Sequence, residues 1–230
     1  MSDRQTKGRV VVIAVDGPAA SGKGTISRKL AQAFGFAYLD TGALYRSVAV
    51  LALEVGVDPQ DEARVAGLVA NIAGREFAQE DLRSGETGRV ASIVAAHPAV
   101  RAALLDYQRM FAEHPPSGRA GVVMDGRDIG TVVCPGADVK LFVTASVEER
   151  ARRRHLELVA KGEAVTLEAV AADLRLRDAR DAERSAAPLK QADDAVLLDT
   201  TELDIESAFR KAADIIMRQT GIGIQQTLSP

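Results

Sequence analysis

The chain of 230 residues contains no tryptophan, and its aromatic residues amount to only 4% of the sequence. Apolar residues nevertheless reach 47%, so a sizeable core must be built from valine, leucine, isoleucine and alanine. This composition suits a buried parallel sheet that is covered by alanine-rich helices. The length predicts one substantial α/β domain with room for a smaller insertion.

Cysteine occurs once, as Cys134, which excludes an internal disulfide and every metal site built from several cysteines. The three histidines, His97, His114 and His155, do not have the spacing of metal ligands. No apolar run approaches the roughly 18 residues needed to cross a membrane. The first residues, MSDRQTKGR, lack the apolar stretch of a signal peptide. We therefore expect a cytoplasmic protein without a membrane partner.

The chain has little excess charge of either sign, with a net charge of -3. A protein whose main task is to hold nucleic acid usually carries a clear positive excess, so we expect no nucleic-acid partner. Local charge differs from this average, because eight arginines fall between Arg150 and Arg184. This concentration predicts a surface that meets anions.

Five short apolar runs alternate with segments of helical periodicity, which predicts βαβ units and a doubly wound, five-stranded parallel sheet. The runs cover residues 9–15, 37–40, 120–124, 139–143 and 195–198. We expect a single domain whose core covers about residues 9–58, 98–148 and 185–219, with an insertion at 59–97, a helical lid at 149–184 and a flexible tail at 220–230. The polar, glycine-bearing stretch Glu76 to Gly88 is predicted to be a loop or a small insertion. Ligands of such sheets lie beyond the carboxyl ends of the strands.

A glycine-rich turn follows the first predicted strand and precedes a helix, and it has the pattern G-x-x-x-x-G-K. Backbone N–H groups of such a loop point at phosphate oxygens, and the helix N-terminus adds a positive dipole. The lysine would reach the β- and γ-phosphates of a nucleotide. The predicted ATP-binding residues are Gly17, Pro18, Ala19, Ala20, Ser21, Gly22, Lys23, Gly24 and Thr25.

One position departs from the general phosphate-loop pattern, because Gly24 stands directly after the lysine and the hydroxyl belongs to Thr25. This G-K-G-T form resembles the loop of nucleoside monophosphate kinases. Thr25 is the candidate protein ligand for Mg²⁺, with contact through water as the alternative. A GTPase would need an Asn-Lys-x-Asp motif, and the only asparagine, Asn71, is followed by Ile72.

Two polar motifs follow the second and third predicted strands. The first, D-T-G-A-L-Y-R, ends at Arg46, and its Thr41 is either a simple helix N-cap or a ligand contact. The second, M-D-G-R-D-I-G, contains Asp125, Arg127 and Asp128. Charged groups are costly to place near a core, so these residues form either an internally paired turn or part of a binding site.

Together with R-D-x-R-D-x-x-R-x-x-x-P-L, these motifs resemble the bacterial cytidylate kinase family from Val10 to about Gln219. The resemblance implies a P-loop NTPase-type fold and a CMP site in which Thr41, Ser92 and Asp128 surround the base. It implies that Asp181 meets the sugar hydroxyls and that the remaining arginines of the motifs meet base or phosphate. The full predicted CMP-binding set is Thr41, Tyr45, Arg46, Ser92, Arg101, Asp125, Arg127, Asp128, Arg177, Asp181 and Arg184. Many bacterial members have a small β-rich insertion where this chain has only the short polar stretch at 75–83.

The arginine-rich segment resembles the lid of this kinase class. Arg150 and Arg154 share a helical face and are predicted to bind ATP, whereas Arg152 and Arg175 are predicted to form solvated ion pairs. Arg177, Asp181 and Arg184 share another face. A lid of this kind neutralises charge on the transferred phosphoryl group and excludes water.

The sequence therefore predicts direct transfer of the γ-phosphoryl group of ATP, with Mg²⁺, to CMP or dCMP. Lys23, Arg127 and Arg184 are the predicted catalytic residues, and a monomer is expected. One alternative is another small-molecule kinase, for UMP, dTMP or shikimate. The other is a nucleotide-sensing module without catalytic activity.

Overall fold

The computed structural model describes residues 9–225, and within this range it contains a five-stranded sheet whose strands are all parallel. The strand order is β2-β3-β1-β4-β5, so the first strand lies at the centre. The strands are β1 (Val11–Asp16), β2 (Ala37–Asp40), β3 (Gly121–Gly126), β4 (Val139–Thr144) and β5 (Val196–Asp199). The predicted five-stranded parallel sheet is confirmed.

Helices fill the connections between the strands, as expected for parallel neighbours. They are α1 (Lys23–Phe34), α2 (Thr41–Glu54), α3 (Glu62–Leu68), α4 (Gln79–Leu82), α5 (Gly85–Val94), α6 (Pro98–Glu113), α7 (Val147–Ala160), α8 (Leu167–Glu183) and α9 (Ile205–Thr220). Short 3₁₀ turns cover Val69–Ile72 and Pro116–Gly118, and a π-helical turn covers Ile129–Val133. None of the helices in the described part of the chain is long and apolar enough to cross a membrane.

Both faces of the sheet are covered, because successive side chains of a strand point to opposite faces. Ile13 and Val15 of β1 pack with α1 and α9 in one fully buried cluster. Ala14, between them, belongs to the cluster on the other face, which contains Met124 and Ile129. The apolar runs in the sequence are continuous because the strands are buried on both sides.

The inserted segment is largely helical, and of the two alternatives for Glu76 to Gly88, a loop or a small insertion, the loop does not hold. It contains α4 and the start of α5, whose N-terminus is capped by Ser84 Oγ accepting from Thr87 N at 3.0 Å. Packing explains the difference, because Val90 and Val94 of α5 are buried against α2 and α6. Glycines in α5 lower its intrinsic helix propensity, but tertiary packing overrides this preference.

The last helix ends at Thr220, followed by Gly221 in the left-handed region at φ 71°. Beyond it, Gln225 N donates to Ala33 O of α1 at 2.8 Å, so this part of the tail contacts the core. The rest of the predicted flexible tail, residues 226–230, lies outside the described residues. The domain limits given above stay predictions.

Candidate active site

The glycine-rich loop joins β1 to α1 at the carboxyl edge of the sheet. Gly17 has φ 151°, and a Cβ atom there would overlap the carbonyl oxygen of Val143 in β4. Gly22 has φ 86°, and Lys23 is the first residue of α1. The Lys23 ammonium donates to the Pro18 carbonyl oxygen at 3.3 Å, so the lysine reaches back across its own loop. The two glycines therefore permit a loop that no other residue type would adopt without strain.

Two residues outside the loop donate hydrogen bonds to its carbonyl groups. Arg150 of α7 donates to Ala19 O at 3.2 Å, and Thr200, which follows β5, donates from Oγ1 to Ser21 O at 3.0 Å. Arg150 also forms a buried ion pair with Asp178 at 2.7 Å. The structure thus places Arg150 behind the loop rather than on the cleft, and the shared face with Arg154 does not bring both residues to one ligand. Thr200 carries no motif in the sequence and was missed.

Burial changes the proton affinity of Lys23 and of the neighbouring Asp125. Burial first, and the nearby Arg127 second, lower the pKa of Lys23 to about 7. Burial and the charge of Asp40 raise the pKa of Asp125 to about 6. Each group is therefore close to its titration range near neutral pH, where charge from a ligand has a large effect on its protonation.

The glycine after the lysine has a structural reason. A Cβ atom on Gly24 would lie 3.1 Å from Asp125 Oδ2, which is tight for a side chain at this position. Tyr38 OH donates to Asp125 Oδ1 at 3.2 Å and holds the carboxylate beside the loop. Thr25 is exposed on the same cleft. The G-K-G-T form thus makes room for the Asp125 carboxylate beside the loop.

These oxygens fit a hard cation, because Mg²⁺ prefers oxygen ligands and keeps several waters. The hydroxyl of Thr25 and the carboxylate of Asp125 both line the cleft beside the loop. Within residues 9–225 no cluster of three or more histidine, cysteine or acidic side chains could form a metal site of its own. The arrangement suits a metal that enters with a phosphate ligand.

The motif after β2 is arranged differently from the simplest sequence interpretation. Asp40, not Thr41, caps α2, since Asp40 Oδ1 accepts from Ala43 N at 2.9 Å. Thr41 Oγ1 instead donates to Asp125 O at 2.8 Å and ties this motif to β3. The second oxygen of Asp40 pairs with Arg46 at 2.7 Å.

The motif after β3 forms three ion pairs with residues of α6 and α8 and with Arg184. Arg127 Nε donates to Asp181 of α8 at 2.9 Å, and both side chains are largely buried. Asp128 accepts from Arg101 of α6 and lies 3.4 Å from Arg184, just after α8. The alternative of an internally paired turn does not hold, because all partners come from other elements.

Other predicted site residues complete this side of the cleft. Arg101 stacks over the Tyr45 ring at 5.6 Å. Ser92 Oγ accepts from Arg180 at 2.8 Å, which links α5 to α8. Arg180 was not among the predicted residues, although its spacing of three from Arg177 would have suggested it.

Arg177 differs from Arg46, Arg127 and Arg184, because within the described residues it has no ion pair, and its Nε atom is buried without a hydrogen-bond partner. Burial and the neighbouring Arg127 lower the pKa of Arg177 to about 10. The side chain stays protonated at neutral pH and lines the cleft. It is therefore a cation available to an anionic ligand.

The helices α7 and α8 pack on the loop through Leu158, Val170 and Leu174, which cluster around Ala19. Arg153, which was not predicted, donates to Thr200 O at 2.7 Å and lies over the loop at Gly22. Arg153 lines the cleft, whereas Arg150 does not.

The remaining lid arginines contact acidic neighbours or the insertion. Arg154 pairs with Glu157 at 2.8 Å and approaches Arg83 O at 3.4 Å. Arg152 and Arg175 are exposed and pair with glutamates of α7, which agrees with the prediction of solvated ion pairs.

A cleft of about 960 Å³ joins the two sides. Its lining includes Lys23 from the phosphate loop as well as Arg127 and Arg177 from the opposite wall. Gly17, Pro18 and Arg150 are the predicted site residues that do not line it. Lys23 and the arginines thus open onto one space, which is large enough for two small ligands.

Comparison with known proteins agrees with this architecture. The family model described as cytidylate kinase matches residues 13–218. "Cytidylate kinase" of Granulibacter bethesdensis is 55% identical over 209 residues, covering 91% of this chain and 98% of that protein. "Cytidylate kinase" of Xanthobacter autotrophicus is also 55% identical, covering 90% and 97%.

A solved structure of an uncharacterized protein from Eubacterium ventriosum covers 91% of this chain and 99% of that chain, with a TM-score of 0.52 and 12% identity. At that identity the likeness shows the fold alone. The residues matched by the family model and by the two relatives include the sheet, the insertion and the lid. The chain belongs to the cytidylate kinase family.

Proposed function

We propose that the chain transfers the γ-phosphoryl group of ATP to CMP and dCMP, giving ADP and CDP or dCDP. Membership of the cytidylate kinase family makes the chain a nucleoside monophosphate kinase. The observation that carries the proposal is the common cleft of Lys23, Arg127 and Arg177. Two nucleotides placed from opposite walls would meet there through their phosphate ends.

On the donor side, the phosphate loop would bind the β- and γ-phosphates through its backbone N–H groups and Lys23. Mg²⁺ would enter with ATP and neutralise phosphate charge, with Thr25 and Asp125 as its candidate contacts through water. Arg153 and Arg154 would cover the phosphates from the lid. Arg150 and Thr200 would keep the loop in shape through its carbonyl groups.

On the acceptor side, Arg177 would bind the CMP phosphate, supported by Arg46 and Arg127. The attacking oxygen of a nucleoside monophosphate is already anionic, so no general base is required. The transfer would be in line and direct, without a covalent intermediate. Catalysis would then consist of positioning the two phosphates and stabilising charge on the transferred group, in which Lys23, Arg127 and Arg184 would take part.

Base selection would depend on Asp128, which is buried at the far end of the cleft. Cytosine offers an N4 amine that a carboxylate accepts, whereas uracil presents an oxygen at the same position. Discrimination of about 1–3 kcal/mol is typical for one such contact. Thr41, Ser92 and Asp181 would complete the contacts with the base and sugar, and Tyr45 would support Arg101.

A substrate panel tests the proposal. Purified protein is assayed with ATP and Mg²⁺ against CMP, dCMP, UMP, dTMP and shikimate, with ADP formation as the readout. We expect rapid turnover of CMP and dCMP and slow turnover of the others. Preference for UMP, dTMP or shikimate would refute the assignment, and ATP binding without turnover of any acceptor would indicate a sensing module. A monomer and a cytoplasmic location are part of the proposal, and sedimentation of the purified protein tests the first.

A paired variant separates catalysis from folding. Lys23→Met should reduce turnover by about 10³-fold, because it removes one preorganised positive group from the transferred phosphate. Lys29→Met is the matched control, since Lys29 lies on the same helix and pairs with Glu206 away from the cleft. Equal activity of the two variants would refute the role of Lys23.

A further inference from the structure

Asp16, the last residue of β1, has no role in the mechanism above although its carboxylate is buried and only 5% exposed. Its two oxygens accept from Ile129 N at 2.8 Å and from Gly130 N at 2.7 Å. Ile129 and Gly130 are the first two residues of the π-helical turn Ile129–Val133 and the last two of the M-D-G-R-D-I-G motif after β3. The contact joins residues that are more than 110 positions apart in the chain.

The first N–H groups of any helical turn have no acceptor within the turn. Here the first intrahelical bonds run from Val132 N and Val133 N to Asp128 O. The N–H groups of Ile129 and Gly130 therefore need an acceptor from elsewhere. Asp16 satisfies both, and its negative charge suits the positive end of the turn.

Asp128 stands at the N-cap position of this turn, where an aspartate usually caps its own helix through its side chain. In this structure the Asp128 side chain makes no capping bond. It points instead to Arg101 and Arg184 and lines the cleft. The capping that Asp128 does not provide is provided by Asp16.

We propose that Asp16 is a positioning residue for base recognition: by capping the turn after β3 in place of Asp128, it keeps the Asp128 carboxylate directed into the cleft. The inference rests on the proposed function, because it assigns the freed carboxylate to the cytosine amine. Asp16 also directly precedes Gly17, so Asp16 connects the phosphate loop with the turn that begins after Asp128.

Asp16→Asn tests the proposal with little change in size. Ile129 N and Gly130 N donate to different oxygens of Asp16, so in an amide of the same orientation one of them faces an NH2 group and loses its acceptor. The Asp128 side chain then becomes the nearest alternative cap for its own turn. We expect the KM for CMP to rise about tenfold and the preference for CMP over UMP to fall about tenfold, while the KM for ATP changes less than about twofold.

Two further variants separate positioning from general destabilisation. Asp138→Asn is the matched control, because Asp138 Oδ2 also accepts one strand N–H, that of Val12 at 2.9 Å, but lies outside the cleft. It should leave the CMP to UMP ratio unchanged. Gly130→Ala approaches the same contact from the other side, since its Cβ would lie 3.0 Å from Lys140 Cδ and 3.4 Å from Asp16 Oδ2. Gly130→Ala should lower the preference for CMP over UMP, as Asp16→Asn does.

A double-mutant cycle with Asp128→Asn gives the decisive measurement. If Asp16 acts through Asp128, adding Asp16→Asn to Asp128→Asn should change the CMP to UMP ratio by less than about twofold. Amide hydrogen exchange at Ile129 and Gly130 should quicken in Asp16→Asn and not in Asp138→Asn. Additive effects in the cycle, or unchanged exchange and an unchanged ratio in an active enzyme, would overturn the inference alone. Wild-type protein that does not phosphorylate CMP would overturn the proposed function first, and the inference with it.

Discussion

The low proton affinity of Lys23 leads to a quantitative prediction for nucleotide binding. With its pKa lowered to about 7 in the protein alone, Lys23 is largely neutral at pH 8. Contact with the negative phosphates of ATP favours the charged ammonium and raises this pKa. Binding of one ATP should therefore be accompanied by net uptake of up to about one proton at pH 8, and by less uptake at pH 7.

Titration calorimetry in two buffers of different ionisation enthalpy measures this uptake directly. The experiment is performed at pH 8 without an acceptor nucleotide, so that no turnover occurs and the ATP phosphates are themselves deprotonated. The apparent binding enthalpy should differ between the buffers in proportion to the protons taken up. Lys23→Met should abolish the difference, while Lys29→Met, on the exposed side of the same helix, should retain it.

The same shift has a consequence for stability whose sign is fixed by linkage. Because the pKa of Lys23 is lower in the folded chain than its ordinary 10.5, the unfolded chain binds more protons between pH 7 and 10.5. The free energy of unfolding should therefore increase through this residue as pH rises through that window, by at most about 1.4 kcal/mol per pH unit. The calorimetric result decides the protonation state of Lys23. Proton uptake on ATP binding below about 0.2 at pH 8, or equal uptake by wild type and Lys23→Met, would refute the assignment of a neutral lysine.

Three other outcomes can be measured by unfolding and steady-state kinetics. Gly17→Ala should lower the free energy of unfolding by at least about 2 kcal/mol, since its Cβ would overlap a carbonyl oxygen of β4, whereas Gly136→Ala, which meets open space, should change it little. Thr200→Val removes the donor to Ser21 O and should lower the free energy of unfolding by about 1–3 kcal/mol. The same variant should raise the KM for ATP more than the KM for CMP. The pKa of Asp125 is raised to about 6, so the folded chain binds more protons between pH 3.8 and 6, and wild-type protein should lose stability relative to Asp125→Asn as pH rises through this window.

The sheet and the phosphate loop could be predicted because their signals are local. A β-branched run such as 9–15 is short and continuous, and a glycine turn with a lysine follows it directly, so strand, loop and helix are encoded within about 25 residues. Local signals also mark two helices of the structure, α7 from Val147 and α9 from Ile205. Capping side chains, Ser146 and Asp204, mark both starts.

Features that depend on the partner of a residue could not be predicted in the same way. Asp40 and Thr41 are both good N-caps, and only the position of Asp125 O decides that Thr41 bonds to β3 instead. Arg150 and Arg154 share a face by spacing, but the ion pair with Asp178 turns Arg150 behind the loop. Helical spacing defines a direction on one helix and does not define what lies opposite.

The pairing of the arginines indicates how the acceptor side can bind phosphate with selectivity. Arg46, Arg127 and Arg184 each have a carboxylate partner, in Asp40, Asp181 and Asp128 respectively, and a ligand phosphate must compete with that partner or share the guanidinium with it. Such partners hold a guanidinium in a fixed position and limit the repulsion among the clustered cations. Arg177 has no ion-pair partner among the described residues, so a phosphate there gains an ion pair without breaking one. The three paired arginines thus define the shape of the acceptor site, and Arg177 should contribute more of its affinity for phosphate than any of these three.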